Sequence, residues 1–317
     1  MIGIVVEGVS KTYRRGLTAE RVRALADVSL SIAPGEAFGI IGPNGAGKTT
    51  FLGCLLGFLK PDGGRITIDG HAPDDLKVRT VTGYLPERLV LDRWMSGRDF
   101  LAYHHALARL PAATRAAEVE AALEGVGLAG EAAARAIRRY SRGMLQRLGL
   151  AQAMLGHPRY LFLDEPASGV DPAGVVLFRR LLAELKPRGV TVILNSHQLD
   201  QVERVCDRVA FVRAGKVEAI ETVAAGAEHA RMLRVRSVAG VLGATVTRER
   251  LVELAVAAGA VLRDLNPPEA RFTVADDAAA ARLLAVLIGA GVPVAEATPE
   301  ESRLERLFLA SPPAAGA

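Results

Sequence analysis

Gly42-Pro43-Asn44-Gly45-Ala46-Gly47-Lys48-Thr49-Thr50 decides how the larger part of this 317-residue chain is read. An apolar run, Ala37-Phe38-Gly39-Ile40-Ile41, leads into it, and Phe51-Leu52-Gly53-Cys54-Leu55-Leu56 follows it. The sequence therefore predicts a buried strand, a glycine loop and a helix with apolar residues at helical spacing. The pattern GxxxxGK[ST] is complete, and its required strand–loop–helix context is present. Glycines let consecutive backbone N–H groups curl around phosphate oxygens, at a helix N-terminus whose dipole favours anions. Lys48 is then expected to reach the β and γ phosphates of a nucleotide, and the Thr49 hydroxyl to sit on Mg²⁺. A glycine turn that merely joins a strand to a helix does not require the whole pattern.

Working outward, a chain of this length accommodates one large domain and a smaller one. Half its residues are hydrophobic and only 5% aromatic, so the core is built from Ala, Leu and Val. The net charge of +4 is mild and the arginines are scattered, which does not indicate nucleic acid as a partner. Cys54 and Cys206 lack metal-ligand spacing and read as reduced, structural residues of a cytosolic protein. Glu7 and Lys11 stand early in the chain, with no signal-peptide pattern. The longest apolar run, around Leu283 to Ala295, is too short and glycine-broken to span a bilayer.

Strands are expected from Ile2 to Val9 and, as one or two segments, from Val22 to Ile32, with a turn at Pro34-Gly35. Antiparallel strands thus precede a parallel nucleotide-binding core. Arg65 to Gly70 reads as a short strand ending in a turn, and Gly83-Tyr84-Leu85-Pro86-Glu87 closes the next one. From about Asp99 to Met154 the pattern is helical, which predicts an inserted helical subdomain at about 88–156. Apolar strands follow at Tyr160–Leu163, Val190–Leu194 and Val209–Val212, with a helix beginning near Pro172. The pattern loosens after Thr222. The expected division is a domain over 1–222 and a small α+β module over 223–317. In that module, strands at Met232–Val235, Phe272–Val274 and Val292–Val294 alternate with helices at Arg250–Ala258 and Ala278–Ile288.

The second chemical signal is Tyr160-Leu161-Phe162-Leu163-Asp164-Glu165-Pro166. An apolar strand ending in two acids places both carboxylates at the sheet's C-terminal edge, where ligands of α/β folds bind. Asp164 is expected to hold the metal's water shell, and Glu165 to orient or deprotonate water. The third is Asn195-Ser196-His197, at the end of the next apolar strand and so on the same edge, where His197 could bond a γ-phosphate oxygen. The fourth is Tyr140-Ser141-Arg142-Gly143-Met144-Leu145-Gln146-Arg147, ahead of an apolar helix. Ser141 and Gly143 would offer a hydroxyl and backbone N–H groups there, a second anion site; an ordinary helix cap explains Ser141 equally well.

With the glycine loop, Asp164-Glu165, Ser168-Gly169-Val170-Asp171 and His197 in this order, the chain resembles an ATP-binding cassette ATPase over roughly Ile2 to Thr222. The resemblance implies a P-loop α/β fold with an antiparallel β subdomain and an inserted helical subdomain. It also implies two cassettes, identical or not, closing head to tail. Each ATP would then lie between one phosphate loop and the partner's Ser141-Arg142-Gly143-Met144 signature. By the same resemblance Tyr13 would stack on adenine, and Ser168 to Asp171 would cross the dimer interface. The family signature usually reads Leu-Ser-Gly-Gly-Gln; here Tyr140, Arg142 and Met144 depart from it while Ser141 and Gly143 remain. Glu87 stands where the family has a glutamine. Both variants resemble the drug- and polysaccharide-export branch, as does the tail Leu304-Glu305-Arg306-Leu307-Phe308-Leu309. The expectation is an ATPase subunit on the cytoplasmic face of the cell membrane, powering a separate transmembrane permease, with ATP and Mg²⁺. The rival expectation is a soluble cassette acting on ribosomes or nucleic acid, against which the single phosphate loop and compact helical block argue. A further rival, a switch that binds ATP without useful turnover, would not need Glu165.

Overall fold

The computed structural model describes residues 3–14, 21–168, 170, 172–223, 231–238, 242 and 246–299. The chain divides into two compact units, one built on residues 1–223 and the other on 224–310. The residues of the branch-like tail, Leu304 to Leu309, lie outside the described set, as do Gly169 and Asp171.

In the first unit, β1 (Ile4–Arg14) pairs antiparallel with β2 (Arg21–Ile32). After β3 (Ala37–Ile41) and α1 (Lys48–Leu55), β4 (Gly63–Ile68) completes this sheet in the order β2-β1-β4. The first strand runs five residues beyond the apolar stretch that suggested it. Its polar end is held by side chains: Thr12 N–H donates to Asp62 Oδ2 at 2.7 Å and Lys11 Nζ to Asp62 Oδ1 at 2.8 Å. The 21–32 segment is one strand, not two.

The second sheet uses β3, β5 (Thr82–Leu85), β6 (Tyr160–Asp164), β7 (Thr191–Asn195), β8 (Arg208–Arg213) and β9 (Lys216–Thr222), in the order β5-β6-β7-β3-β8-β9. All its pairs are parallel except the edge hairpin β8–β9. Every residue of β3, β6 and β7 is buried, which explains their unbroken apolar runs: a parallel strand covered on both faces has no polar side. The edge strand β9 escaped the sequence reading because none of its residues is fully buried and two are glutamates.

Between these strands lie α2 (Leu76–Arg79), α3 (Gly97–Leu107), α4 (Arg115–Gly125), α5 (Glu131–Ala134), α6 (Arg142–Ala153), α7 (Pro172–Leu185) and α8 (Leu199–Val205). Phe51, Leu52 and Leu55 of α1 are at most 1% exposed and share one core with Phe38, Ile40, Phe162 and Ile193. Burial of each such side chain contributes about 1.5–3 kcal/mol, so the helix that follows the glycine loop is held to the sheet by its apolar face. Among the described residues no helix is long and apolar enough to cross a membrane.

The second unit is β10 (Arg231–Ser237), α9 (Arg248–Ala257), β11 (Val261–Asn266), β12 (Glu269–Val274), α10 (Asp277–Gly289) and β13 (Val294–Pro299). Its sheet has the antiparallel order β11-β12-β10-β13, a split βαββαβ arrangement. Leu233, Val235, Phe272 and Val274 pack with Leu251, Leu283 and Leu287 in a core of their own. The alternate residues carry an ion-paired surface, with Arg234–Glu269 at 3.4 Å and Arg236–Glu296 at 3.0 Å. Two expectations are corrected here. β11 was not anticipated, because Arg263, Asp264 and Asn266 dilute its apolar pattern on an edge strand. The last strand runs from Val294 to Pro299 rather than from Val292 to Val294, because pairing with β10 sets its register.

Two outcomes follow from this packing. A Cβ on Gly39 would lie 2.4 Å from Val202 Cγ1 and 3.2 Å from Cys206 Sγ, both in buried contact with β3. Gly39→Ala should therefore cost about 1–3 kcal/mol by overpacking, read as a lowered urea midpoint at unchanged m-value. Because the second unit has a separate core, a fragment of residues 224–310 should unfold cooperatively by circular dichroism; a gradual, non-cooperative melt would show that it depends on the first unit.

Candidate functional site

The glycine loop joins β3 to α1, and its geometry explains its residues. Gly47 caps α1 in the left-handed region at φ 102°, and a Cβ there would lie 2.2 Å from the Ala24 carbonyl oxygen. Only glycine satisfies both conditions. No side chain caps this helix and no acid stands in its first turn, so its first N–H groups keep their positive end for an anion. Lys48 is buried, and its Nζ donates to the carbonyl oxygens of Gly42 at 2.8 Å and Pro43 at 3.1 Å. Burial pulls the Lys48 ammonium below its ordinary range, opposed by the Glu165 and Asp164 charges. Asn44, Gly45 and Thr49 are exposed around it, while Ala46 is buried and passes its carbonyl to Gly215 N–H at 2.9 Å. Thr50 follows, half-buried, inside the helix.

The acidic edge comes from β6 and β7. Their parallel register sets Asp164 beside Asn195, and Asn195 Nδ2 donates to Asp164 Oδ1 at 2.6 Å. Burial raises Asp164 above the usual carboxylate range; the Asn195 bond and Lys48 act against it, and the Glu87 and Glu165 charges act with it. Glu165 is the next residue and leaves the strand at φ 47°, a left-handed conformation costing a non-glycine residue roughly 1–3 kcal/mol. That turn aims its carboxylate at the end of β7. Glu165 Oε1 accepts from His197 N–H at 2.9 Å and lies 2.8 Å from His197 Nδ1. An ionised carboxylate only accepts, so that contact requires the proton on Nδ1. Ser196 Oγ donates to Oε2 at 3.4 Å.

Glu87 is exposed just past β5, yet near enough for its charge to act on Asp164. Together with Asp164 it adds to the burial that pushes the Tyr84 phenol up to about 12. Lys48, Asp164, Glu165, His197 and Glu87 thus gather at one edge of the sheet, where four strands or their loops end.

The segment 141–144 has different neighbours. Ser141 caps α6, its Oγ accepting from Met144 N–H at 3.2 Å, as the plainer reading of that serine required. The hydroxyl hydrogen is still available to donate, since the cap uses only the oxygen. Arg142 Nη2 donates to Ser168 Oγ at 3.1 Å, and Gly143 faces Val170 at 3.9 Å from the position of a Cβ. This link between the helix start and the loop after Glu165 was not legible in the sequence, where the two stretches are 26 residues apart. Tyr13, next to last in β1, is 39% exposed, with Lys11 Nζ 6.0 Å from its ring centroid.

Among the described residues no group of three or more His, Cys, Asp and Glu side chains could hold a metal by itself. The donor set instead fits Mg²⁺, which takes one or two protein oxygens and completes its sphere with phosphates and water. Asp164 and the exposed Thr49 hydroxyl would be those oxygens. Asn195 Oδ1, buried and without a partner, is an acceptor suited to a water on such a cation. Asn195 belongs to the third sequence motif but was given no role there; a polar side chain closing an apolar strand was its only signal.

The sequence profile of the ABC transporter family matches residues 25–168. A Bacillus subtilis ABC transporter ATP-binding protein, YxlF, is 38% identical over 212 residues, covering 67% of this chain and 68% of its own. The daunorubicin resistance ATP-binding protein DrrA3 of Streptomyces coeruleorubidus is 36% identical, over 68% of this chain and 66% of its own. Relatives at 40% and 41% identity are matched over 64% and 60% of their length, so the chain spans under two thirds of them. Among solved structures, the ATP-binding cassette MJ0796, dimeric and bound to ADP and Pi in a post-hydrolysis state, superposes with a TM-score of 0.64 at 26% identity. That match covers 69% of this chain and 98% of the cassette. A phosphate loop and an acidic strand end on one sheet edge, with these relatives, establish that the chain belongs to the ABC transporter ATP-binding family.

Proposed function

We propose that this chain is the ATP-hydrolysing subunit of a membrane transporter. The convergence of Lys48, Asp164, Glu165 and His197 beside the glycine loop carries the reading, because a site that only bound nucleotide would not need the Glu165 carboxylate there. The backbone N–H groups from Gly42 to Thr50 would cradle the phosphates. On their arrival Lys48 would leave the Gly42 and Pro43 carbonyls for the β and γ oxygens, a stronger partner for a cation. Thr49 and Asp164 would hold Mg²⁺, which supplies charge neutralisation across the phosphates. Glu165 accepts the proton of the attacking water, and Lys48 and His197 stabilise the charge on the γ-phosphoryl oxygens.

The dimeric cassette among the structural neighbours supports a composite site, in which the Ser141–Met144 segment completes the ATP site of a second cassette. The Ser168 to Asp171 loop would then cross between subunits, and Arg142 would carry the position of Ser168 to the signature helix. Tyr13 would stack on adenine. The surface after Glu87 supports a permease contact: Val90 is 97% and Trp94 77% exposed, with Arg138 stacked 4.8 Å from the Trp94 ring. Exposed apolar residues of this kind mark protein contacts. Glu87 would sit at the hinge between that contact and Asp164. The relative named for daunorubicin resistance supports export as the direction. The second unit offers no catalytic cluster among its described residues and would serve dimerisation, regulation or permease binding.

Two experiments test the chemistry and the geometry separately. Glu165→Gln retains an oxygen to accept from His197 N–H but cannot take a proton, so ATP binding should persist while hydrolysis slows by about 10²-fold or more. Trapped ATP should then hold dimers together in size exclusion; unchanged turnover removes Glu165 as the base. Ser141→Arg should abolish hydrolysis with nearly intact nucleotide affinity in the monomer. Mixed with Lys48→Ala protein it should regain part of its activity, because that heterodimer keeps one complete site; inactive mixed dimers would refute the composite site.

A further inference from the structure

Asn195 has no part in the mechanism above, yet its surroundings are built with care. It is the last residue of β7 and only 2% exposed. Asp164 is its partner on one side of the ladder and Ile40, two residues ahead of the glycine loop, its partner on the other. Side chains two apart along a strand share a face. Asn195 is in phase with Ile193, and Asp164 with Phe162 and Tyr160, all of which pack into the core that contains α1. Asn195 and Asp164 therefore lie on the face that α1 covers, and the first turn of α1 carries Lys48 and Thr49.

With Asp164 ionised, as binding a cation requires, its Oδ1 only accepts, so the amide stands with its nitrogen toward Asp164, at 2.6 Å. Oδ1 is thereby turned away from Asp164, and it is a buried acceptor without a hydrogen-bond donor. A buried acceptor left unpaired is destabilising, and an isosteric leucine would remove the orphan at once. Lys48 is engaged with the loop carbonyls, so it does not supply the missing donor. A donor that arrives with the ligand fits both facts. Water on a divalent cation is such a donor, and Mg²⁺ gives up its water reluctantly.

We propose that Asn195 is a positioning residue for the metal of the bound nucleotide: Nδ2 orients the Asp164 carboxylate, and Oδ1 accepts a hydrogen bond from a water on the cation. This rests on the ATP-site reading and adds to it a residue that touches neither the nucleotide nor the metal. Hydrogen-bonding partners of metal ligands and bound water are worth about 10–100-fold in metal affinity. That gain should be lost without harm to the metal-independent part of nucleotide binding.

The test is equilibrium ATP binding to the full chain by calorimetry, once with Mg²⁺ and once with EDTA, for the parent, Asn195→Leu and Asn195→Ser. The ratio of the two affinities is the readout, with each unfolding temperature measured alongside. For Asn195→Leu the EDTA affinity should stay within about twofold of the parent, while the gain from Mg²⁺ falls by about 10-fold or more. A purely structural role would shift both affinities together and leave the ratio alone, which overturns the proposal. If the leucine variant does not fold, the serine variant, too short to bridge to Asp164, decides by the same ratio. A parent that binds no ATP under either condition would instead overturn the underlying ATP-site reading.

Discussion

The in-register parallel pairing of β6, β7 and β3 is the constraint on which the rest of this structure depends. It sets Asp164, Asn195 and Ile40 in one row at the sheet's C-terminal edge. Everything polar at the site is fixed relative to that row. A slip of one residue in β7 would turn the Asn195 side chain to the opposite face and break its bond to Asp164. It would also carry His197 away from Glu165. The burial of every residue in these three strands is what forbids the slip, because each apolar side chain would lose its place in the core.

Burial has the opposite effect on the charged groups. It raises Asp164 and lowers Lys48, so each is driven toward its neutral form. Their mutual attraction works against this, and so does the hydrogen bond from Asn195. The resulting edge holds charges that are costly alone and tolerable together, and it has room for more opposite charge. A polyphosphate with a divalent cation supplies both signs at once. The left-handed backbone at Glu165 belongs to the same account, since the strain is held by the bonds that Glu165 accepts from the end of β7.

The two units rest on unlike physics. The first buries a parallel sheet on both faces and keeps its polar residues for the strand ends. The second buries one face of an antiparallel sheet under two helices and leaves a lattice of arginine and glutamate on the other. That difference governed how well each was read. Unbroken apolar runs located β3, β6, β7 and β8 to within a residue or two. Where a strand was half exposed, as in β9 and β11, polar residues masked it, because only pairing with a neighbour tells such a stretch from a loop.

The sequence by itself determined the glycine loop, the acidic strand end and the histidine at the end of the next strand, since each is a local pattern whose chemistry needs particular residues at fixed spacing. It also determined that helices interrupt the strand order between Glu87 and Tyr160. Only the tertiary structure decided which groups meet. It brought Glu87 within electrostatic reach of Asp164, bonded Arg142 to Ser168, and turned Glu165 onto His197. It also singled out Asn195, an ordinary polar residue in the sequence, as a buried amide with its donor engaged and its acceptor open. The reason is physical: spacing along a chain fixes what a residue can do, whereas register and burial fix what it is next to, and hydrogen bonds and charges depend on the second.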